Sequence, residues 1–532
     1  DRAALTKQGQ ALLRRMEEPE VRAKREISRE DIRAGFEQLR RRFDAKNGGF
    51  SAAPKFPTPH NLIFLTRFAA LENEGAAREM AQLTLRQMYR GGIFDHIGGG
   101  FSRYSTDARW LVPHFEKMLY DNALLIWAYA EAFQAWGDAL YKTVAERTAD
   151  YVLREMTGEE GGFFSAQDAD SEGREGHFYV FRPGEIVSVL GEEDGKAFCQ
   201  WFGVTERGNF EGANILNLLD NPSFADTGAF RAHIPALYNY RLSRARLLTD
   251  DKRLTAWNAL MIAALAKAGH ALERGDYLTA AERAMRFIET ALTRPDGRLF
   301  VRWREGEAAG DGFLDDYAFV CLALLNLYDA TLKIEYLEKA IECAGTMCRL
   351  FEDTQNGGFY LYAESGERLA VRPKETYDGA MPSGNSAAGY VLARLAQLTG
   401  ETLWMERSTR QMRFLAGSVI DYPSAYCFAL TAAMLSLYPT CEVVIATREP
   451  EIQNDVLRRL ARLYLPNTAV LLKTPENAAA LEYLAPFTAP YPVPDSGARI
   501  YLCRGGACKA PFDDLDELER RLAAITPAAR PS

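Results

Sequence analysis

Two kinds of hydrophobic pattern alternate along the chain. Segments at about 28–44, 76–90, 138–156, 275–293, 333–352 and 401–418 carry apolar residues on one face and Arg and Glu on the other, as helices do when a core covers one side. Each is followed by a segment that is apolar and aromatic nearly all round, at about 60–73, 114–136, 255–271, 314–330, 385–399 and 424–438. Helices of that second kind are buried on every side. Six outer helices alternating with six inner ones predict a mainly α fold, a closed (α/α)6 toroid. A glycine-aromatic signature recurs between the helices, in Asn47-Gly-Gly-Phe50, Gly99-Gly-Phe101, Gly161-Gly-Phe163, Gly297-Arg-Leu-Phe300 and Asn356-Gly-Gly-Phe359. Such self-similarity fits a repeated helical hairpin.

The alternation breaks twice. Residues at about 157–253 read as an elaborated loop over the mouth of the ring, opening with a β-hairpin and its charged turn across 162–181. From Cys441 short apolar strands alternate with amphipathic helices, which predicts a small α/β unit over 441–532. Pro486, Pro490, Pro492 and Pro494 mark an extended connector within it. Its closing run, Asp514 to Leu522, reads as a solvated helix face. The expected organisation is therefore an N-terminal helix and linker at 1–27, the toroid at 28–440 and the α/β unit at 441–532.

Composition narrows the partners. A chain of 532 residues with 47% hydrophobic content can bury a large core. Lys and Arg total 63 against 72 Asp and Glu, and a net charge of −9 disfavours general attraction to nucleic acid or anionic membrane. The longest nearly uncharged stretch, Ser424 to Tyr438, is bracketed by Pro423 and Pro439 and falls short of the roughly 20 residues that span a bilayer. The start, Asp1-Arg-Ala-Ala-Leu-Thr-Lys7, has no apolar signal core. Eight cysteines are dispersed at 199, 321, 343, 348, 427, 441, 503 and 508, which suits a reduced, cytoplasmic protein. The glycines of Cys503-Arg-Gly-Gly-Ala-Cys508 could let two thiols meet or hold a soft ion, but no second pair completes a zinc site. With no phosphate loop, no His-Glu-x-x-His and no dinucleotide-binding pattern after Gly98, neither a metal nor a cofactor is expected.

The candidate chemistry gathers where the inner helices begin. If all six run one way, their N-termini converge at one mouth, and unpaired N–H groups there suit hydroxyl-rich or anionic ligands. The segment from Gly91 to Asp121 is the densest in polar groups. His114 leads as an acid/base, because an imidazole titrates near neutrality and Lys117 and Asp121, three and seven residues on, would share its helix face. His96 follows, beside Asp95 and flexible glycines; His60 and His177 rank lower, and His233 and His270 read as structural or exposed. Asp315 and Asp316 point about 100° apart on a helix, so one faces the cavity. Paired with Glu116 or Asp121 across the ring, it would give a two-carboxylate arrangement. Catalytic expectations thus fall on His114, His96, Asp316 and Glu116. The expected substrate contacts are Arg103, Tyr104, Trp110, Lys117, Asp121, Trp257, Asn258, Asp315, Tyr317, Ser383 and Asn385, with the aromatic rings stacking on sugars. Ser383, Thr255 and Ser424 are also ordinary N-cap candidates.

Several of these motifs carry a resemblance. Lys55-Phe-Pro, Gly98-Gly-Gly-Phe-Ser-Arg-Tyr-Ser105, Trp110-Leu-Val-Pro-His-Phe-Glu-Lys-Met-Leu-Tyr-Asp-Asn122, Asp168-Ala-Asp-Ser-Glu172, Thr255-Ala-Trp-Asn258, Asp311-Gly-Phe-Leu-Asp-Asp-Tyr317 and Met381-Pro-Ser-Gly-Asn-Ser386 resemble the thioredoxin-domain-containing family that includes spermatogenesis-associated protein 20. The resemblance covers most of the chain. It implies a toroid similar to N-acylglucosamine 2-epimerases and six-hairpin glycosidases, preceded in the family by a thioredoxin-like domain that this sequence lacks. The chain is then expected to be a cropped, cleaved or separately encoded remainder, with a thioredoxin-like domain as a partner. The expected function is that of a carbohydrate-active enzyme, a sugar epimerase or isomerase using His and carboxylate proton transfer. Two alternatives stay open: glycoside hydrolysis by paired carboxylates, and a non-catalytic toroid that binds a sugar or protein.

Overall fold

The computed structural model describes residues 2–16, 25–366, 371–504, 507–508 and 510–525. Helix α1 (Arg2–Met16) precedes the ring, and most of the expected linker lies outside the described residues. Outer and inner helices then alternate: α2 (Arg29–Arg42) and α3 (Pro59–Glu72), α4 (Gly75–Arg90) and α5 (Leu119–Trp136). After α6 (Ala139–Glu155), the interrupting segment holds α7 (Pro183–Leu190), α8 (Glu192–Trp201) and α9 (Ile234–Arg244), before the inner α10 (Thr255–Ala271). The remaining pairs are α11 (Gly275–Ala291) with α12 (Leu314–Thr331), α13 (Ile334–Phe351) with α14 (Gly384–Thr399), and α15 (Thr402–Val419) with α16 (Cys427–Leu437).

The inner helices close on themselves. α3 packs on α5, α5 on α10, α10 on α12, α12 on α14, α14 on α16, and α16 returns to α3, which makes the fold an (α/α)6 toroid. Burial follows the sequence pattern: every residue of α5 except Phe133 is buried, whereas α4 and α11 bury one stripe each. Short turns at 73–74, 137–138, 272–274, 332–333 and 400–401 lead from inner helices to outer ones, while long connections lead from outer to inner. All the long loops therefore collect at the N-terminal ends of the inner ring. That end is the mouth.

Two expectations are corrected. Helix α5 begins at Leu119, not at residue 114, because Pro113–His114 pairs with Tyr104–Ser105 and Lys117–Met118 pairs with Ala166–Gln167. Backbone committed to a sheet ladder cannot also be helical, so His114 does not share a helix face with Lys117 and Asp121. In the 162–181 segment only Asp170–Ser171 and Arg174–Glu175 form a hairpin, and three helices follow it.

The C-terminal unit closes the far end of the ring. Its central strand Cys441–Thr447 runs parallel to Thr468–Lys473 and antiparallel to Ala498–Arg504, flanked by α17 (Pro450–Ala461), α18 (Ala478–Leu484) and α19 (Leu515–Ala523). Helix α19 buries Leu518 and Leu522 and leaves its charges outward. Gln134 donates to the Ala461 carbonyl, Tyr328 to Val470 and Arg394 to Thr468, which ties the C-terminal ends of inner helices to this unit. A disulfide joins Cys503 to Cys508 across paired strands, and Cys199, Cys321, Cys343, Cys348 and Cys427 are free thiols. No described helix is long and apolar enough to cross a membrane.

Candidate functional site

The glycine-aromatic signature turns out to be a loop device used several times. Asp44, Asp95 and Asp353 each accept backbone N–H groups two and three residues on, closing a tight loop. Two glycines follow at positive φ, as in Gly99 (80°) and Gly100 (78°), where a side chain would strain the backbone. A lysine then clamps each loop: Lys55 reaches Asp44 (2.6 Å) and the Gly48 carbonyl, Lys117 reaches Asp95 (2.9 Å) and Gly99, and Lys374 reaches Asp353 (3.0 Å) and Gly357. The aromatic residue of the signature is clamped in turn by an asparagine at the start of an inner helix. Asn122 accepts from the Phe101 N–H and donates to its carbonyl, as Asn258 does for Phe163 and Asn385 for Phe359. Tyr317 serves the hairpin before α12, its hydroxyl accepting from the Leu299 N–H.

Six expected site residues are thereby drawn into the framework. Lys117, Asn258, Asn385 and Tyr317 are buried with these bonds made. Trp110 is fully buried and donates to the Asn47 carbonyl. His96 sits among Tyr89, Phe94 and Phe202, its Nε2 near the Gly91 carbonyl, and burial next to Arg147 lowers its pKa to about 3. An imidazole so held is neutral and walled off. Around Lys117 the framework is ionic: Arg241 meets Asp95 at 2.9 Å, and although burial alone would raise the Asp95 carboxyl, Arg241 and Lys117 hold it well below the ordinary range. Two further residues are positioning groups. Asp316 accepts from the N–H groups of Phe313 and Ala256, which fastens the start of α12 to that of α10. Ser383 caps α14, accepting from the Ser386 N–H and donating to the Thr376 carbonyl.

The remaining expected residues line the mouth. His114 is half-buried, its Nδ1 at 2.8 Å from Glu175 and its Nε2 at 3.5 Å from Glu116, with its ring stacked on Tyr104. Glu116 also faces Arg103 at 3.4 Å. Asp121, in the first turn of α5, is 4% exposed, and its Oδ2 has no hydrogen-bond partner. Burial pushes its pKa well above the ordinary value, Arg103 opposing that shift and Glu116 adding to it. Beside it Tyr120 meets the edge of Trp257. Trp257 and Asp315 line a cavity of about 190 Å³ with Val301, Phe313 and Met381. Burial and the neighbouring Glu375 raise Asp315 to about 6.

Some mouth residues escaped sequence reasoning. Glu175 lies 61 residues from His114 and reaches it only because the inserted hairpin folds over the ring. Near the starts of α3 and α16, Thr58 Oγ1, His60 Nδ1, Asn61 Oδ1 and Ser424 Oγ are buried without partners, and burial lowers His60 to about 4. His60 and Ser424 are among the residues the sequence singles out, the one as a lower-ranked acid/base and the other as an N-cap. Among the described residues no group of three His, Cys, Asp or Glu side chains is placed to hold a metal ion.

A ring of six helical hairpins with every long loop at one end defines the class, the (α/α)6 toroids. No family model matches the chain. It is 33% identical to human spermatogenesis-associated protein 20 over 541 residues, covering 92% of this chain and 68% of that protein. The rat protein of the same name is 32% identical over 538 residues, with the same coverage. The chain belongs to the spermatogenesis-associated protein 20 family. Among solved structures, a D-mannose isomerase is similar with 14% identity and a TM-score of 0.47, covering 73% of this chain and 86% of its own. The GH76 α-mannanase of Bacteroides thetaiotaomicron has 12% identity and a TM-score of 0.44, covering 76% and 94%.

Proposed function

We propose that the mouth binds a carbohydrate and transfers protons to and from it, in the manner of a sugar epimerase or isomerase. Asp121 is the observation that carries this reading. A carboxyl buried with one oxygen unpartnered costs on the order of 1–3 kcal/mol, a cost a protein keeps where the group has work to do. Driven by burial toward its protonated form, it serves as the proton donor; His114, whose ring nitrogens face Glu116 and Glu175, serves as the acceptor. Arg103 and the Trp257 ring supply the polar and stacking contacts that orient a sugar.

Epimerisation next to a carbonyl needs a proton removed from carbon and a proton returned, so substrate recovered from deuterated water carries deuterium at that carbon. Incubation of the chain with a panel of reducing mono- and disaccharides in D2O checks this by mass spectrometry. Deuterium uptake lost in both His114→Ala and Asp121→Asn is the expected result. A sugar that binds without exchanging would sink the reading. The neighbouring carboxyls Glu116 and Asp121, one of them driven toward its protonated form, favour glycoside hydrolysis as the second reading, for which release of new reducing ends is the readout. A sugar that binds and undergoes neither reaction leaves the non-catalytic toroid.

A further inference from the structure

Ten large apolar side chains stand most exposed among the described residues, and five of them lie on the loops that feed the mouth. Phe56 precedes α3, Leu248 precedes α10, Phe313 caps α12, Tyr377 precedes α14 and Tyr422 precedes α16. The loop before α5 supplies the sixth position with Tyr104, half-buried against Phe56 at 4.8 Å. Exposed large side chains scattered at random need no explanation, but one on each long loop of a ring forms a rim. The rim is continuous with the site, since Tyr104 stacks on His114 at 5.2 Å. Below it carboxyls gather: Glu116 faces Arg103, Glu175 faces His114, and Asp315 lines the cavity beside Trp257.

We infer that the mouth takes an oligosaccharide whose outer residues stack on this rim, and that the chain is neutral or carries amino sugars rather than uronic acids. The inference rests on the reading of the mouth as a carbohydrate site and adds length and charge to it. A single pyranose occupies the floor beside Trp257 and has no use for large apolar side chains on six loops. Aromatic and apolar rims suit the C–H faces of successive sugars, and an acidic floor repels a polyuronate at close range.

Calorimetric titration with glucose, mannose, glucosamine and galacturonate oligomers of one to six units tests both parts. Affinity that rises with length for the neutral or glucosamine series, and stays weak for galacturonates, is expected. Tyr377→Ala, Leu248→Ala and Tyr422→Ala are each exposed changes that leave the melting temperature in place. Each should weaken the longest binding oligomer about threefold to tenfold and leave its monomer unchanged. Monomers that bind as tightly as oligomers overturn this inference and leave the carbohydrate reading standing. Galacturonates that bind best overturn the charge assignment alone. An absence of binding across the whole panel overturns the inference and the carbohydrate reading together.

Discussion

At the two ends of inner helix α5, two buried carboxyls are treated in opposite ways. Toward the far end, Glu131 is fully buried and every acceptor is used: Arg67 meets it at 2.7 Å, Trp127 donates at 2.6 Å and Tyr464 of the C-terminal unit at 2.9 Å. Burial would raise this carboxyl, yet Arg67 and Lys267, with the hydrogen bonds, bring it down to about 2. Arg394 is similarly divided among Asp329, Gln397 and the Thr468 carbonyl. At the mouth, Asp121 is nearly as deeply buried and is left with an open oxygen. The same helices carry both groups, so neither burial nor helix type separates framework from site. For these two carboxyls the difference lies in whether both oxygens are paired.

The largest break in this comparison is expected from Glu131→Ala, which strands the Arg67 cation in the ring. Equilibrium denaturation should show a loss of about 3–5 kcal/mol. The Asp121→Asn change removes a carboxyl of equal burial but no ion pair. Its stability should stay within about 1 kcal/mol of the parent, while the deuterium exchange described above falls by about 100-fold or more. A stability loss like that of Glu131→Ala would mean that Asp121 is framework after all.

Smaller changes sharpen the boundary. Asn258→Ala leaves the Phe163 N–H and carbonyl without their clamp, and should cost about 1–3 kcal/mol in the same denaturation measurement. Smallest is the effect of pH through Asp315. Its folded pKa of about 6 lies above the ordinary 3.8, so between those values the native state binds more protons than the unfolded one, and stability falls as pH rises through that window. Asp315→Asn should flatten melting temperature against pH there, by an amount worth on the order of 1 kcal/mol once partial exposure is allowed for. An unchanged slope would remove Asp315 from the titrating groups of the cavity.

Much of the architecture was legible because helix period is a local property. The α10 segment is expected at 255–271 and spans Thr255–Ala271, and α13 is expected at 333–352 and spans Ile334–Phe351. The start of α5 was misplaced where a competing sheet pairing, with partners at Tyr104–Ser105 and Ala166–Gln167, overrode the helical pattern. The candidate site was legible only in part. The dense polar segment from Gly91 to Asp121 contains His114, Glu116 and Asp121 of the mouth, but also Lys117 and Asp95 of a buried ion cluster and the walled-off His96. Residue type and spacing do not separate the two sets, since a lysine that clamps a loop and a lysine that holds a ligand look alike in one dimension.

The sequence by itself determined six helical hairpins, the interruption before α10 and a C-terminal α/β unit, because hydrophobic period, glycine turns and strand alternation are written within a few residues of where they act. The tertiary structure alone decided which polar groups found partners. Arg241 reaches Asp95 from 146 residues away, Tyr464 reaches Glu131 from 333 and Glu175 reaches His114 from 61, and no local pattern encodes those meetings. A buried charge is silent or reactive according to what stands within about 3 Å of it, and that distance exists only after the ring has closed.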